Sequence, residues 1–444
     1  MNDTNKRAVW GWALYDWANS AFATTVMAGF FPIFFKQYWS IGVDVNMSTA
    51  QLGFGNSMAG LLVALLAPVL GAIADQSSSR KKFMIFFAYL GVLMTAALFF
   101  VGKGQWGWAI LIYAGGFIGF AGANVFYDSL LPMVADENRV DHVSSLGYSL
   151  GYLGGGLLFL INVLMTLMPA VFGLPDAAAA VRFSFLTVAV WWGGFTLFAI
   201  FWVPEGTDAS RRLPGNPVTA GFRQFTDTFT KIRNLKTVGI FLLAYWFYID
   251  GVDTIILMAV DYGISLGFAS NDLIVALLIV QFVGFPAALV FGRLGERWGV
   301  KKSIYLGIFI YMLITFWGAM MSRKEEFYIL AGAIGLVQGG IQALSRSYYS
   351  RLIPPDQSAE YYGFYNMLGK FAAIIGPSLV GLSGLLARHL LMPAAATPEQ
   401  IAAAGLLATR WSIASVLLLF VIGAVLFYFV DEKTGRSQAH RLDR

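Results

Sequence analysis

Runs of roughly 20 apolar residues recur along the whole chain, each wide enough to cross a bilayer as one helix. Short stretches between them hold nearly all of the charge. This alternation leaves little choice of fold, because a helix satisfies its own backbone hydrogen bonds in hydrocarbon. The residue-by-residue alternation of a membrane β-barrel is absent. With 58% hydrophobic and only 12% charged residues, an ordinary soluble two-domain enzyme is excluded. The pattern predicts an all-α polytopic membrane protein with about twelve spans, near residues 9–36, 50–73, 83–102, 106–130, 143–168, 181–203, 238–266, 271–292, 303–321, 327–346, 361–387 and 409–430.

The longest polar interruption, Pro204–Lys236, divides the chain into a six-helix half (1–203), a linker (204–236) and a second six-helix half with a short tail (237–444). Within the linker, 218–233 reads as partly helical, with Phe222, Phe225 and Phe229 placed to lie along a membrane surface. Met1–Arg7 reads as a polar tail and not a cleaved leader, since Asp16 and Asn19 interrupt the first apolar run. Starting the chain inside leaves seven basic residues outside: Lys36, Lys103, Arg182, Arg323, Lys324, Arg388 and Arg410. Lys370 falls within a span, and all other Lys and Arg lie inside. That asymmetry predicts cytoplasmic termini and, with short loops and tails, a bacterial inner membrane.

Several function classes drop out. The chain has no cysteine, which removes disulfides, thiol catalysis, cysteine-ligated zinc and iron–sulfur clusters. Its pI near 9.2 comes from membrane-flanking loops without a concentrated basic patch, so no nucleic-acid partner is expected. The histidines, His142, His389 and His440, are scattered, which argues against a metal or an acid–base cluster of a membrane enzyme. No phosphate-cradling glycine loop leads into a soluble domain, which argues against ATP-driven pumping. Expected partners are the bilayer, a small-molecule substrate and, as a coupling ion, the proton; no cofactor is expected, and the chain is read as a monomer.

One polar break repeats. GAIADQSSSRKK at Gly71–Lys82 returns as GRLGERWGVKK at Gly292–Lys302. Each copy places an acid four residues after a glycine, Asp75 or Glu296, and then paired lysines. The glycine permits close helix approach. The acid can sit by the positive N-terminal end of a neighbouring helix. These residues, Gly71, Asp75, Arg80, Lys81 and Glu296, are therefore gating candidates. The duplication extends further: an offset of 218 carries Asp128 onto Arg346, Tyr148 onto Asn366, Gly151 onto Gly369 and Tyr152 onto Lys370. Parallel halves of this kind place a substrate site at their interface near the bilayer midplane. Asp128 and Arg346, near the cytoplasmic ends of spans four and ten, can pair across the halves as a gate or meet loop charges separately.

Polar residues buried in spans are costly and usually face the bundle interior. Asp16 and Asn19 share a helix face, as do Asp250, Asp253 and Thr254. Asn124 forms a stripe with Asp128, and Gln338 and Gln342 form one with Arg346. Lys370, about ten residues into its span, needs a carboxylate or an aqueous cavity. Its expected partner is Asp250, about 20 Å along its own helix. Asp16, Asn19, Asn124, Asp250, Asp253, Gln338, Gln342 and Lys370 are the substrate- or proton-binding candidates. Tyr15, Trp17, Tyr245, Tyr248, Tyr361, Tyr362 and Tyr365 flank them and are either cavity-lining or plain packing. Gly151, Gly154–Gly156 and Gly376-Pro377 fit close helix contacts and a kink.

The GAIADQSSSRKK loop and the twelve-span plan resemble the major facilitator superfamily. ALYDWANSAFATTV (13–26), YIDGVDTII (248–256) and QALSRSYYSRLIPPDQSAEYYGFYNMLGKFAAIIGP (342–377) are similar to its autophagy-related vacuolar-effluxer-like branch. In fungi that branch is associated with release of amino acids from the vacuole. The resemblance implies an alternating-access secondary carrier, with an amino acid as the expected substrate. A lysolipid or other amphiphile is the alternative; outside carriers, a membrane enzyme or a non-transporting sensor on the same fold would remain.

Overall fold

The computed structural model describes residues 3–42, 45–205, 236–265, 268–391 and 397–442. Helix α1 covers Asp3–Ala21 and continues through a wider π winding, Phe22–Phe30, a turn at Phe31–Phe34 and a second π stretch, Phe35–Trp39. The first half goes on with α2 (Val45–Ser77), α3 (Arg80–Ala97), α4 (Trp106–Ser129), α5 (Val140–Leu167) and α6 (Ala177–Trp202). The second half has α7 (Lys236–Ser265), α8 (Ser270–Trp298), α9 (Val300–Met320), α10 (Lys324–Ser350) and α11 (Ser358–Leu391). It closes with α12, Pro398–Ala414 continued by Leu417–Tyr428, and a surface helix, α13 (Glu432–Leu442). Eleven helical segments among the described residues are long and apolar enough to cross a membrane. The 34-residue α11 fills the remaining place in the expected order of twelve.

One detail differs from the sequence reading, and one falls on residues the structure does not describe. The polar start of the chain is wound into α1 from Asp3, ahead of the span expected to begin near residue 9, so Asp16 lies about 20 Å along the helix. The linker helix and its Phe222, Phe225 and Phe229 lie outside the described residues.

The buried apolar side chains form two main clusters, each drawn mainly from one half. Trp12, Phe22, Phe35, Trp39, Phe159 and Trp192 belong to the first; Phe241, Tyr248, Tyr311, Tyr349, Phe420 and Phe427 belong to the second. Large apolar side chains such as Phe86, Val190, Phe201, Leu382 and Leu390 stay exposed on the flanks, as lipid-facing residues must. The first cluster also takes in Ala359 of α11, with Ile274, Leu277 and Leu278 of α8 packed against it.

One end of the bundle carries both chain ends and is called here the termini face. There Gly11 packs on Trp202 and Val203, Arg80 reaches Pro355, and Arg436 of α13 reaches Glu137. Asp431 caps α13. The Thr434 hydroxyl at 2.6 Å and the backbone N–H groups of Lys433 and Thr434 hold its carboxyl below the usual range.

The repeated loops turn alike. Ser78, with φ 49°, and Gly299, with φ 93°, occupy the same place in the two copies, where a left-handed residue ends the preceding helix. In both copies the first lysine then caps the last membrane helix of its own half. Lys81 Nζ donates to Ile200 O and Val203 O at 3.1 and 2.7 Å. Lys301 Nζ donates to Tyr428 O and Val430 O at 3.0 and 2.7 Å. An ammonium at a helix C-terminus satisfies orphan carbonyls and opposes the helix dipole.

The halves meet crosswise. Gly71 of α2 sits on the backbone of Ala359 and Glu360 at the start of α11, and Gly363 of α11 sits on Ala67 and Pro68. In the matching contact, Gly292 of α8 sits on Ser145 at the start of α5. Farther along, Gly284 faces Tyr152 and Gly156 faces Gln281. The small residues of α5 also seat α1, since Gly147 faces Trp12 and Asp16, Gly151 faces Ser20, and Gly154 faces Trp17.

Candidate gate and binding site

Trp12, Asp16 and Asn19 recur at helical spacing on α1, so one face of that helix presents all three toward α4. Asn19 Nδ2 donates to Asn124 Oδ1 at 2.5 Å, and Tyr127 donates its hydroxyl to Asp16 Oδ2 at 3.0 Å. Trp12 donates its indole N–H to Tyr127 O and stacks on the Tyr127 ring, centroids 4.4 Å apart. Next to them on α4 is Asp128. Asp16, Asn19, Asn124 and Asp128, all of the first half, thus form one polar cluster about a helical turn deep.

Arg346 enters this cluster from α10 of the second half. Its Nη1 donates to Asp128 Oδ1 at 3.1 Å, and Nη2 lies 3.6 Å from Asp16 Oδ2. Nε donates to Ser144 Oγ and Nη2 to Ser144 O, both at 2.9 Å. The guanidinium carbon lies 4.4 Å from the Tyr148 ring centre, 4.7 Å from Trp12 and 5.3 Å from Tyr127. All of these partners belong to the first half. Two residues of α11 add bonds to the joint: Tyr362 donates to Arg346 O at 2.9 Å, and Asn366 Nδ2 donates to Asp128 Oδ2 at 3.2 Å. Asp128 and Arg346, the pair that the 218-residue offset makes equivalent, are in contact.

Around this centre the termini face is sealed by further bonds between halves. Asp75 accepts from the N–H groups of Ala359 and Glu360 at 3.2 and 2.8 Å, at the positive end of α11. Arg80 binds Asp75 at 2.5 Å and donates to Pro355 O and Asp356 O. Ser358 donates to Ser129 O, and Ser144 donates to Ala343 O, both at 2.8 Å. Arg351 pairs with Asp141 at 2.5 Å and also reaches Glu137 O. These two residues were not singled out in the sequence, where charges at helix ends read as orientation signals.

The other candidates lie elsewhere. Lys81 serves its own half as a helix cap. Glu296 is exposed and, among the described contacts, makes no bond to the other half. Asp250 is buried, and its Oδ1 accepts the N–H of Gly376 at 3.0 Å, with Thr254 Oγ1 at 3.4 Å. Pro377 follows directly inside the helix, so Asp250 braces α7 against α11 next to that proline. A Cβ on Gly376 would fall on Thr254 Oγ1 and within 2.6 Å of Asp250 Oδ1. The side chain of Lys370, the expected partner of Asp250, lies outside the described residues. Asp253, Gln338 and Gln342 are partly buried on α7 and α10. The tyrosines pack as core: Tyr245 stacks on Tyr365 at 4.1 Å, Tyr349 on Tyr365 at 5.1 Å, and Trp17 on Trp191 at 5.3 Å.

Two six-helix bodies that meet crosswise and lock at one face through buried polar groups define a membrane carrier of the major facilitator type, and solved structures agree on the fold. The human organic anion transporter MFSD10 (TETRAN) superposes with a TM-score of 0.68 at 16% identity, over 95% of this chain and 99% of that one. The proton:xylose symporter XylE superposes at 0.69 and 14% identity, over 99% and 98%. A family model described as "Vacuole effluxer Atg22 like" matches residues 4–52 and 40–383. The uncharacterized MFS-type transporter YxiO of Bacillus subtilis (strain 168) is 39% identical over 426 residues, 96% of this chain and 95% of its own. Autophagy-related protein 22 of Saccharomyces cerevisiae (strain S288c) is 23% identical, over 98% of this chain and 93% of its own. The chain belongs to the Atg22-like family of major facilitator transporters, and it is an integral membrane protein.

Proposed function

We propose that this protein is an alternating-access secondary carrier of a small organic solute, an amino acid in the first instance, driven by a proton gradient. The observation that carries the reading is the position of the inter-half bonds. Asp75–α11, Arg351–Asp141 and Arg346 with Asp16 and Asp128 all close the termini face, while the two main apolar clusters are each drawn mainly from one half. With the termini in the cytoplasm of a bacterial inner membrane, as the basic-residue asymmetry implies, this is a seal on the cytoplasmic side. Asp75 and Arg80 latch α2 to α11, and Asp128 with Arg346 forms the inner bolt. Asp16, Asn19 and Asn124 stand just beyond the bolt, where a solute descending between the halves meets polar groups. Asp250 is the second acid suited to exchange protons. The purified monomer is the transporting unit. Counterflow in proteoliposomes tests the class: exchange of labelled amino acids supports the reading, conversion of the solute marks an enzyme, and neither marks a sensor. An amphiphile carrier is the second reading. It is favoured by an apolar groove of about 840 Å³ on the flank of α5 and α6, lined by Leu158, Phe183, Val190, Trp191, Phe195 and neighbours. Lysolipid in the same counterflow assay separates the two.

A further inference from the structure

The guanidinium of Arg346 is held as a ligand would be. Around it stand the faces of Trp12, Tyr127 and Tyr148, the carboxylates of Asp16 and Asp128, and two oxygens of Ser144. Ring centres 4.4–5.3 Å away are within the range of cation–π attraction. These groups come from α1, α4 and α5, which also pack on one another through Trp12 on Tyr127 and Gly147 on Asp16. The box is therefore built entirely by the first half, and its present occupant is supplied by the second.

Separation of the halves at the termini face withdraws α10 and keeps the six box residues together on their own helices. It also frees Asp128 from Asn366 and the Ser144 hydroxyl from Ala343 O. Two buried carboxylates then face each other without the guanidinium between them, a state that strongly favours a new counter-charge. A proton on a carboxylate removes charge but leaves three ring faces and the Ser144 acceptors unfilled. A bare metal ion gains little from the rings. A guanidinium or ammonium group answers all of these features at once. We propose that the vacated box binds a small organic cation, and that the transported solute carries such an amino or guanidino group. The occupant competes with Arg346, so the termini face cannot close until the cation moves on. This inference rests on the carrier reading above.

The chain lacks cysteine, so Ser358→Cys gives a clean reporter: Ser358 is buried at the inter-half seam against Ser129 O. In membranes, its thiol-labelling rate is measured with and without methylguanidinium, with urea as the neutral planar control. Saturable acceleration by methylguanidinium and none by urea is expected. Labelling that proceeds but ignores methylguanidinium overturns the box and leaves the carrier standing. No labelling under either condition overturns both. Calorimetry on Arg346→Ala gives the second arm, in which methylguanidinium should bind at least about tenfold tighter than to the unmodified protein. Asp128→Asn in that background should lose most of this affinity. Equal binding of urea, or indifference to Asp128→Asn, would mean a filled hole and overturn the proposal.

Discussion

At the scale of single residues, the decisive asymmetry is that one guanidinium serves two acids. Removing Arg346 strands both Asp16 and Asp128 in a buried setting, whereas removing Asp128 leaves Arg346 with Asp16 at 3.6 Å and the Ser144 oxygens. Arg346→Met should therefore cost about 3–5 kcal/mol, the range for breaking a buried pair. Asp128→Asn should cost distinctly less, and pairing it with Arg346→Met should recover part of the loss. Melting of the purified protein in detergent reads all three, and equal losses for the two single variants would refute the ranking. Asp250 allows a cleaner separation of charge from structure. Asparagine keeps an oxygen to accept the Gly376 N–H, while alanine does not. Asp250→Ala should lose about 1–3 kcal/mol from the orphaned donor. Asp250→Asn should fold nearly normally yet fail in proton-driven accumulation. Full accumulation by the folded asparagine variant would remove Asp250 from the coupling role.

At the scale of elements, the repeated loops do two jobs that the sequence merges into one motif. The first lysine of each copy stabilises its own half, and, among the described residues, Asp75 and Arg80 of the first copy reach across. Lys81→Met should loosen the end of α6, and Lys301→Met the end of α12, each by about 0.3–2 kcal/mol. Amide exchange at 199–203 and 426–430 reports the two ends separately. Exchange that rises at the wrong end, or at neither, would exclude the capping role. The sequence exposed the loop copies and the offset that joins Asp128 to Arg346, because duplication is visible as spacing. It did not expose Trp12, Ser144 and Tyr148 as a box. In a chain with 16% aromatic residues, a ring at helical spacing looks like packing, and a serine near a helix start looks like a cap. The brace between Asp250 and Gly376 was hidden for another reason: a bond to a backbone N–H has no signature in the side-chain pattern.

At the scale of the whole molecule, the membrane spans were legible from apolar runs alone, since hydrocarbon leaves a helix few alternatives. How tightly the halves are latched was not, because it depends on which polar groups meet across the seam. Asp75 at the head of α11 is one such meeting, and the proposed gate makes it a determinant of the balance between closed and open forms. Asp75→Asn keeps acceptor oxygen but loses the charge that favours the helix N-terminus and Arg80. It should shift the population toward the form open at the termini face, raising labelling of Ser358→Cys while slowing counterflow. Unchanged labelling would show that the latch does not hold this equilibrium.

The contact between residues 128 and 346 has a consequence for ancestry. Positions related by a two-fold axis meet each other only on the axis itself, and in a dimer of two identical chains each such residue would face its own copy. An aspartate there would oppose an aspartate, and an arginine an arginine. Opposite charges at this spot can exist only when the two halves are free to differ, that is, within one fused and diverged chain. The bolt could not have been present in a symmetric dimeric forerunner. It belongs to the single-chain carrier, and fixing it made the two halves no longer interchangeable.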